Sequence, residues 1–333
     1  MPSFGYVIPS FGPFVDPAAF TDLVQAGEDL GFADVWFGDH VVVPHYAAGL
    51  IHPDWVDPLA ACLAGMGKGS RLRFGTDVLV GPYRHPALVA KMVASGIRLT
   101  GGRMVLGVGV GYLRGEFDIL GADHRNRGAV TDEFLDVLRA LWAGSGTVGY
   151  HGDHVTFDDA VFGPTPSEPV PVWVGGNNPR ARRRAATRGD GWHPLFPTPE
   201  GYAEGRRDIL AHREEAGHHD DGPDGRPFTF SYSCAVTAVL DALPADYRMG
   251  TWDEVPDIPA DFSYSPPVPA APDGRPRFVG TPDLVAADVA AYVAAGVDHF
   301  TLRFANGSPD VGVADLLSQM GRFADEVAPR FDG

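Results

Sequence analysis

The feature that most constrains this chain is an alternation. Short apolar runs are each followed by an amphipathic helical segment along nearly the whole length. Strands are expected at 4–9, 34–37, 71–80, 104–108, 170–174, 190–193, 228–240 and 298–304. Helices are expected at 16–30, 57–66, 86–99, 132–142, 179–188, 200–217, 282–295 and 313–328. The punctuation agrees: Asp16 and Asp57 stand as N-caps before prolines, Thr281 caps Pro282, and Gly31 and Gly296 close helices. Val89, Val93 and Ile97 recur at spacing four, on one helical face. Eight strand–helix pairs define an α/β chain folded as a (β/α)8 TIM barrel, closed by right-handed crossovers. It reads as a single domain over residues 1–333. In such a barrel the chemistry sits at the C-terminal ends of the strands.

Two segments break the alternation. Residues 147–157 (TVGYHGDHVTF) read as a β-hairpin placed before the fifth strand. Residues 241–277 are too rich in proline for a central strand and read as an insertion at the C-terminal face, a lid or a mobile loop.

Composition narrows the partners. Hydrophobic residues make up 44% and charged residues 21%, as in a globular protein. The net charge of −17 repels phosphate backbones and anionic bilayers, so no nucleic acid and no membrane surface is expected as a partner. The start, MPSFGYVIPSFGP, has neither a basic region nor a long apolar run, so a cytoplasmic protein without a signal peptide is expected. Cys62 and Cys234 are far apart and suggest two buried thiols. His218 and His219 lie in a polar acidic loop, and His45, His52, His124, His151 and His154 lack ligand spacing, so no metal site is expected. No nucleophile-elbow motif is present.

Four constellations stand at expected strand ends. Gly38-Asp39-His40 follows the second strand; a histidine there either exchanges a proton or caps a turn. Gly75 and Asp77 interrupt the third strand: the glycine suggests a bulge or a close approach, and the acid needs either a partner or water. Glycines 107, 109 and 111 strip side chains from one face of the fourth strand, either for a flat ligand or for tight packing. Gly175-Gly176-Asn177-Asn178-Pro179 opens a helix whose N-terminal N–H groups suit an anion. Arg180, Arg182, Arg183, Arg184 and Arg188 follow on that helix, as an anion site or as a solvated basic face.

Taken together, VWFGDH (35–40), RLRFGTDVLVGPYRHPALVAKMVASGIRLTGGRMVLGVGVGYLRGEF (71–117), DEFLDVLRALW (132–142), PVPVWVGGNNPRARRRAATRGDGWHP (169–194) and FVGTPDLVAADVAAYVAAGVDHFTLRF (278–304) resemble the luciferase-like monooxygenase superfamily. Within it, they resemble the branch that uses coenzyme F420. The resemblance implies a luciferase-like barrel and an oxidoreductase, a reductase of a C=C, C=N or C=O bond in a small molecule, working as a homodimer. It implies that Asp39 and His40 touch the deazaflavin ring, that a cis peptide joins Asp77 and Val78 behind it, and that Gly109, Gly111 and Tyr112 flank it. Gly175, Gly176, Asn177 and Asn178 would hold the phosphate, and His193 would line the same cleft. His40 is then the first candidate for proton relay and Tyr112 the second.

Two departures from the family pattern stand out. Tyr112 occupies a position where some relatives carry a proton-transferring Glu. Pro197, Thr198 and Pro199 stand where relatives acting on sugar phosphates carry basic groups. FMN remains the alternative cofactor, in a monooxygenase, with Arg114 as a candidate phosphate contact. A non-catalytic flavin-binding barrel is the reading from another class.

Overall fold

The computed structural model describes residues 1–144, 146–218, 227–243, 269–305 and 311–332. The chain alternates as expected. β1 (Ser3–Val7) leads to α1 (Pro17–Asp29), β2 (Asp34–Phe37) to α2 (Pro58–Met66), and the broken pair β3 (Arg73–Thr76) and β4 (Leu79–Val80) to α3 (Pro86–Thr100). β5 (Arg103–Gly109) is followed by α4 (Arg114–Leu120) and α5 (Arg127–Trp142), then by the hairpin β6 (Thr147–His151) and β7 (Thr156–Val161). β8 (Val172–Gly175), α6 (Pro179–Arg188), β9 (Gly191–His193) and α7 (Pro199–Glu215) continue the pattern. β10 (Thr229–Ser233), β11 (Ala238–Val239), β12 (Val279–Gly280), α8 (Pro282–Ala294), β13 (His299–Leu302) and α9 (Val313–Glu326) complete it.

Every strand pairing in the large sheet is parallel. The order β3-β2-β1-β13-β10-β9-β8-β5 is closed by β3 against β5, so eight strands make a barrel. β4 rejoins β5 further along, as a continuation of β3.

Two expected strands are split. The third breaks at Asp77–Val78, where the peptide is cis. The seventh ends at Ser233, and β11 leaves the barrel to pair with β12. The hairpin reaches Val161, beyond the expected 157. Most of the proline-rich insertion, residues 244–268, lies outside the described residues. Its returning end is anchored: Arg275 and Arg277 both bind the buried Asp288 carboxylate, at 2.6 and 3.1 Å, and Phe278 N donates to it at 2.8 Å.

The barrel interior is stacked in layers. At the N-terminal end the fully buried Asp34 accepts from Trp36 Nε1 at 2.5 Å and Arg73 at 2.7 Å, and lies 3.1 Å from His299. Trp36 and Trp173 fill the middle, stacked with centroids 5.1 Å apart. Gly75, odd in the sequence, is explained here, because a Cβ on it would fall 2.3 Å from the Trp36 ring. Above the tryptophans, the His193 ring lies nearly parallel on Trp36 at 5.0 Å. The amphipathic helices bury their apolar stripes outside, as Val89, Val93 and Ile97 of α3 do.

Burial alone would raise the Asp34 carboxyl, but His299, Arg73 and Trp36 reverse it and hold its pKa at about 2. A folded pKa below the unfolded value contributes stability that is present above about pH 4 and lost as the pH falls towards 2. The expected loss for Asp34 over that window is roughly 2–3 kcal/mol. Urea unfolding at stepped pH should show Asp34→Asn less stable than wild type at pH 6, with the gap narrowing by that amount near pH 2. A gap that stays constant with pH would remove Asp34 from the acid sensitivity.

Candidate active site

The top layer of the barrel forms the floor of a cavity of about 390 Å³ at the C-terminal ends of the strands. Asp77 is the centre of that floor. Its carboxylate is buried and reaches across the barrel: Oδ1 lies 2.8 Å from His193 Nε2 and accepts from Ser233 Oγ at 3.5 Å, and Oδ2 pairs with Arg303. The other nitrogen of His193 bonds Ser231 Oγ. Burial would raise the Asp77 carboxyl; Arg303 and His193 overcome this and hold it at about 2. Asp77 is therefore an internal anion with partners from β9, β10 and the exit of β13, not a strand-end acid facing water.

The break in the third strand explains the glycines of the fourth. A Cβ at Gly107 would lie 2.0 Å from the Thr76 carbonyl oxygen, and one at Gly109 would lie 2.6 Å from Val78 Cγ2. These glycines admit the bulge around the cis peptide. Val78 thereby borders the cavity beside Gly109.

On the β2 side, His40 stands edge-on to Trp55 at 4.8 Å and close to Tyr112, whose hydroxyl is 3.4 Å from Nε2. Its other nitrogen, Nδ1, is 3.0 Å from Oε2 of the buried Glu116. Glu116 also accepts from Val41 N at 2.5 Å, Val42 N at 3.1 Å and Tyr83 OH at 3.1 Å. Burial opposes ionisation of Glu116, but His40 and the two backbone N–H groups outweigh it and hold the carboxyl below its usual range. Burial and the neighbouring Glu116 push the Tyr83 phenol up, so it remains a donor. An ionised Glu116 accepts Nδ1–H and leaves Nε2 facing Tyr112 and the cavity. Asp39, one residue before, is held by both Arg84 terminal nitrogens at 2.6 and 2.8 Å and by Val80 N at 2.8 Å. Burial nonetheless pushes its carboxyl upward, against the pull of Arg84.

The glycine-rich turn after β8 is pinned from several sides. Trp192 Nε1 donates to Gly176 O at 2.9 Å. Asn177 grips the Leu195 backbone with Nδ2 to O at 2.6 Å and N to Oδ1 at 3.1 Å. Asn178 caps α6 through Ala181 N at 2.9 Å. The α6 arginines divide. Arg182 and Arg188 pair with Asp208 and Asp136, and Arg183 is exposed. Arg180 and Arg184 border the cavity, Arg184 while bonded to Asp132 at 2.6 Å. Arg125 and Arg127 join them from the start of α5. Among the described residues neither Arg125 nor Arg180 has a carboxylate partner.

Asp39, His40, Asp77, Val78, Gly109, Gly111, Tyr112, Gly175, Gly176, Asn178 and His193 therefore border one cavity, and Asn177 does not. Arg114 is exposed and pairs loosely with Asp118. Sequence reasoning missed Glu116, Arg84, Trp55, Arg125, Arg127 and Phe196. It treated Tyr112 as standing where an acid was wanted; the structure supplies an acid from Glu116, one helical turn further on. An acidic residue in the first turn of the helix after a glycine-rich strand exit was the available signal. Among the described residues, no cluster of three His, Cys, Asp or Glu side chains could hold a metal, and no helix is long and apolar enough to cross a membrane.

A closed parallel barrel with a cavity at the strand exits defines the class of TIM barrels, whose ligands bind at that rim. More narrowly, the chain belongs to the luciferase-like monooxygenase family, whose model matches residues 4–299. It is 31% identical over 180 residues to an F420-dependent glucose-6-phosphate dehydrogenase of Amycolatopsis mediterranei, covering 53% of each chain. The chain spans about half the length of the curated relatives it matches. Its fold is similar to that of an F420-dependent secondary alcohol dehydrogenase, with a TM-score of 0.75 at 20% identity over 98% of both chains. It is also similar to an FMN-bound type II Baeyer–Villiger monooxygenase from Pseudomonas putida, with a TM-score of 0.70 at 18% identity over 98% of both.

The hydrogen-bond pattern predicts one tautomer for His40. Heteronuclear NMR of the imidazole nitrogens above pH 8 should find His40 protonated at Nδ1 in the wild type, and Glu116→Gln should lose that preference. An Nε2-protonated ring in the wild type would contradict the geometry.

Proposed function

We propose that this chain is a coenzyme F420-dependent oxidoreductase, a reductase of a C=C, C=N or C=O bond in a small molecule, with His40 managing the proton. The observation that carries the reading is the His40–Glu116 pair beside an open cavity whose lining also includes Arg125, Arg127, Arg180 and Arg184. The donor set fits the cofactor. F420 carries a phosphodiester and carboxylates, and Arg125, Arg127, Arg180 and the N-terminus of α6 offer several positive groups in a chain of net charge −17. Val78, Gly109 and Gly175 offer a flat apolar surface for a ring. When bound, the deazaflavin supplies hydride through C5 and reacts poorly with oxygen.

The chain's own groups do the remainder. Glu116 orients His40 through Nδ1, so Nε2 is placed to give or take a proton at the cavity surface. Tyr112 stands next to Nε2 as a second hydroxyl donor. Asp39, fixed by Arg84, holds the loop that carries His40. Trp55 packs against the imidazole and limits its rotation.

The FMN-dependent monooxygenase is the second reading. The FMN-bound neighbour of the same fold favours it. The single phosphate of FMN uses less of the arginine rim, and Arg114, its expected phosphate contact, does not border the cavity. We extend the reading to a cytoplasmic homodimer, on the family resemblance; sedimentation at micromolar concentration checks the dimer.

Titration with F420 and FMN separates the readings. F420 should bind at least about tenfold more tightly, a difference of about 1.4 kcal/mol. Arg180→Ala should weaken F420 binding, by less at high salt. Tight FMN binding without F420 binding would overturn the proposal. With F420H2 and an accepted substrate, His40→Ala should lower kcat by about 10²–10⁴-fold. Glu116→Gln should lower it by about 10–100-fold, with little change in F420 affinity.

A further inference from the structure

The side of the cavity built by the exits of β9, β10 and β13 has a different chemistry from the arginine rim. Its wall is Leu195, Phe196 and Arg303. Among the described residues Arg303 is the one cation there, and its charge is already matched by Asp77. Nη1 donates to Ser233 Oγ at 2.5 Å and Cys234 O at 2.7 Å, and Nη2 pairs with Asp77. An anion reaching the remaining N–H groups of Arg303 would sit beside the buried Asp77 carboxylate, whose negative charge offsets the attraction of the guanidinium. His193 has both nitrogens engaged. Among the described residues this side offers no cation whose charge is unbalanced.

Phe196 is held in an unusual way. Its φ is +53°, a left-handed conformation that bulky residues rarely adopt. Both neighbours are fixed: Asn177 bonds the Leu195 backbone twice, and Tyr292 OH donates to Pro197 O at 2.8 Å. The ring is thereby presented at the cavity beside the Arg303 guanidinium, 6.0 Å from it. Glycine or asparagine would suit this backbone better. A phenylalanine kept there against its own preference indicates a use for the ring.

We propose that this side of the cavity takes an uncharged, ring-bearing carbonyl compound, that the closed Asp77–Arg303 pair turns anionic substrates away, and that Phe196 determines the preference by packing on the ring. This deepens the proposed function and rests on that cavity being the substrate site. It also separates this chain from relatives named for sugar phosphates, whose substrate is a dianion.

The test uses acetophenone and 4-acetylbenzoate, which differ by one carboxylate. Calorimetric titration of the cofactor-free protein, with inorganic phosphate saturating the arginine rim, should give acetophenone on the order of tenfold the affinity of the benzoate. Phe196→Gly should keep or raise Tm, because glycine relieves the positive φ, yet weaken acetophenone binding severalfold. Arg303→Ala removes the cation that balances Asp77 and should not improve benzoate binding.

Equal or tighter binding of the benzoate overturns the proposal. So does a Phe196→Gly variant with unchanged acetophenone affinity. F420 binding is measured in parallel. Acetophenone preference without F420 binding would sink the oxidoreductase and leave this selection standing, and F420 binding with no preference would do the reverse.

Discussion

Asp77 is the charge on which the barrel's upper half depends. A carboxylate this deep is costly unless it is paired and hydrogen-bonded. Its partners come from β9, β10 and the exit of β13, while Asp77 itself lies at the break between β3 and β4. One side chain thus ties one side of the barrel to the other. The same contact decides the shape of the floor. His193 is drawn flat over Trp36, and Arg303 is folded down onto the carboxylate rather than extended into the cavity. The bulge that follows Asp77 places Val78 against Gly109 and needs the absence of a side chain there.

The proton-handling side is built on a different principle. Glu116 is stabilised as an anion by donors from two places: the loop after β2, through His40 and two backbone N–H groups, and Tyr83. Because two of those donors are backbone N–H groups of Val41 and Val42, the carboxylate fixes the chain on one side of His40 as well as its ring. Arg84 does the same on the other side, through Asp39. His40 is clamped between two carboxylate-centred networks, and Nε2 is left towards the cavity. That is the arrangement a relay needs, since a ring free to turn would divide its time between productive and unproductive orientations.

The fold was legible because its signals are local. Asp57 before Pro58, the spacing of Val89, Val93 and Ile97, and the helix opened at Pro179 each act within one helical turn, and each is found where the sequence suggested. The oddity of Gly75 and Asp77 was also visible, but its cause was not. Trp36, His193 and Arg303 are about 40, 116 and 226 positions away along the chain, and no local pattern reports such contacts. Glu116 escaped for the same reason: its partner is 76 residues earlier. The arginine run of α6 misled in part. Helical geometry divides consecutive arginines among several faces, so Arg182 and Arg188 meet surface acids while Arg180 and Arg184 reach the cavity.

Charge sets the two ends of the cavity apart. Within a strongly acidic chain, the group of arginines between the starts of α5 and α6 is a local reversal of sign at the mouth of a low-dielectric cleft, and such a reversal concentrates anions at that point. Elsewhere along the cavity, among the described residues, the buried carboxylates of Asp77 and Asp39 are paired with Arg303 and Arg84. A ligand with a polyanionic tail and a flat apolar head would enter in one orientation only, tail to the arginines and head over Val78. The barrel by itself cannot impose that choice, because chains of the same fold are found with FMN and with F420. What distinguishes ligands is how many negative charges the rim can neutralise and how little charge the far wall tolerates, and both are set by side chains rather than by topology.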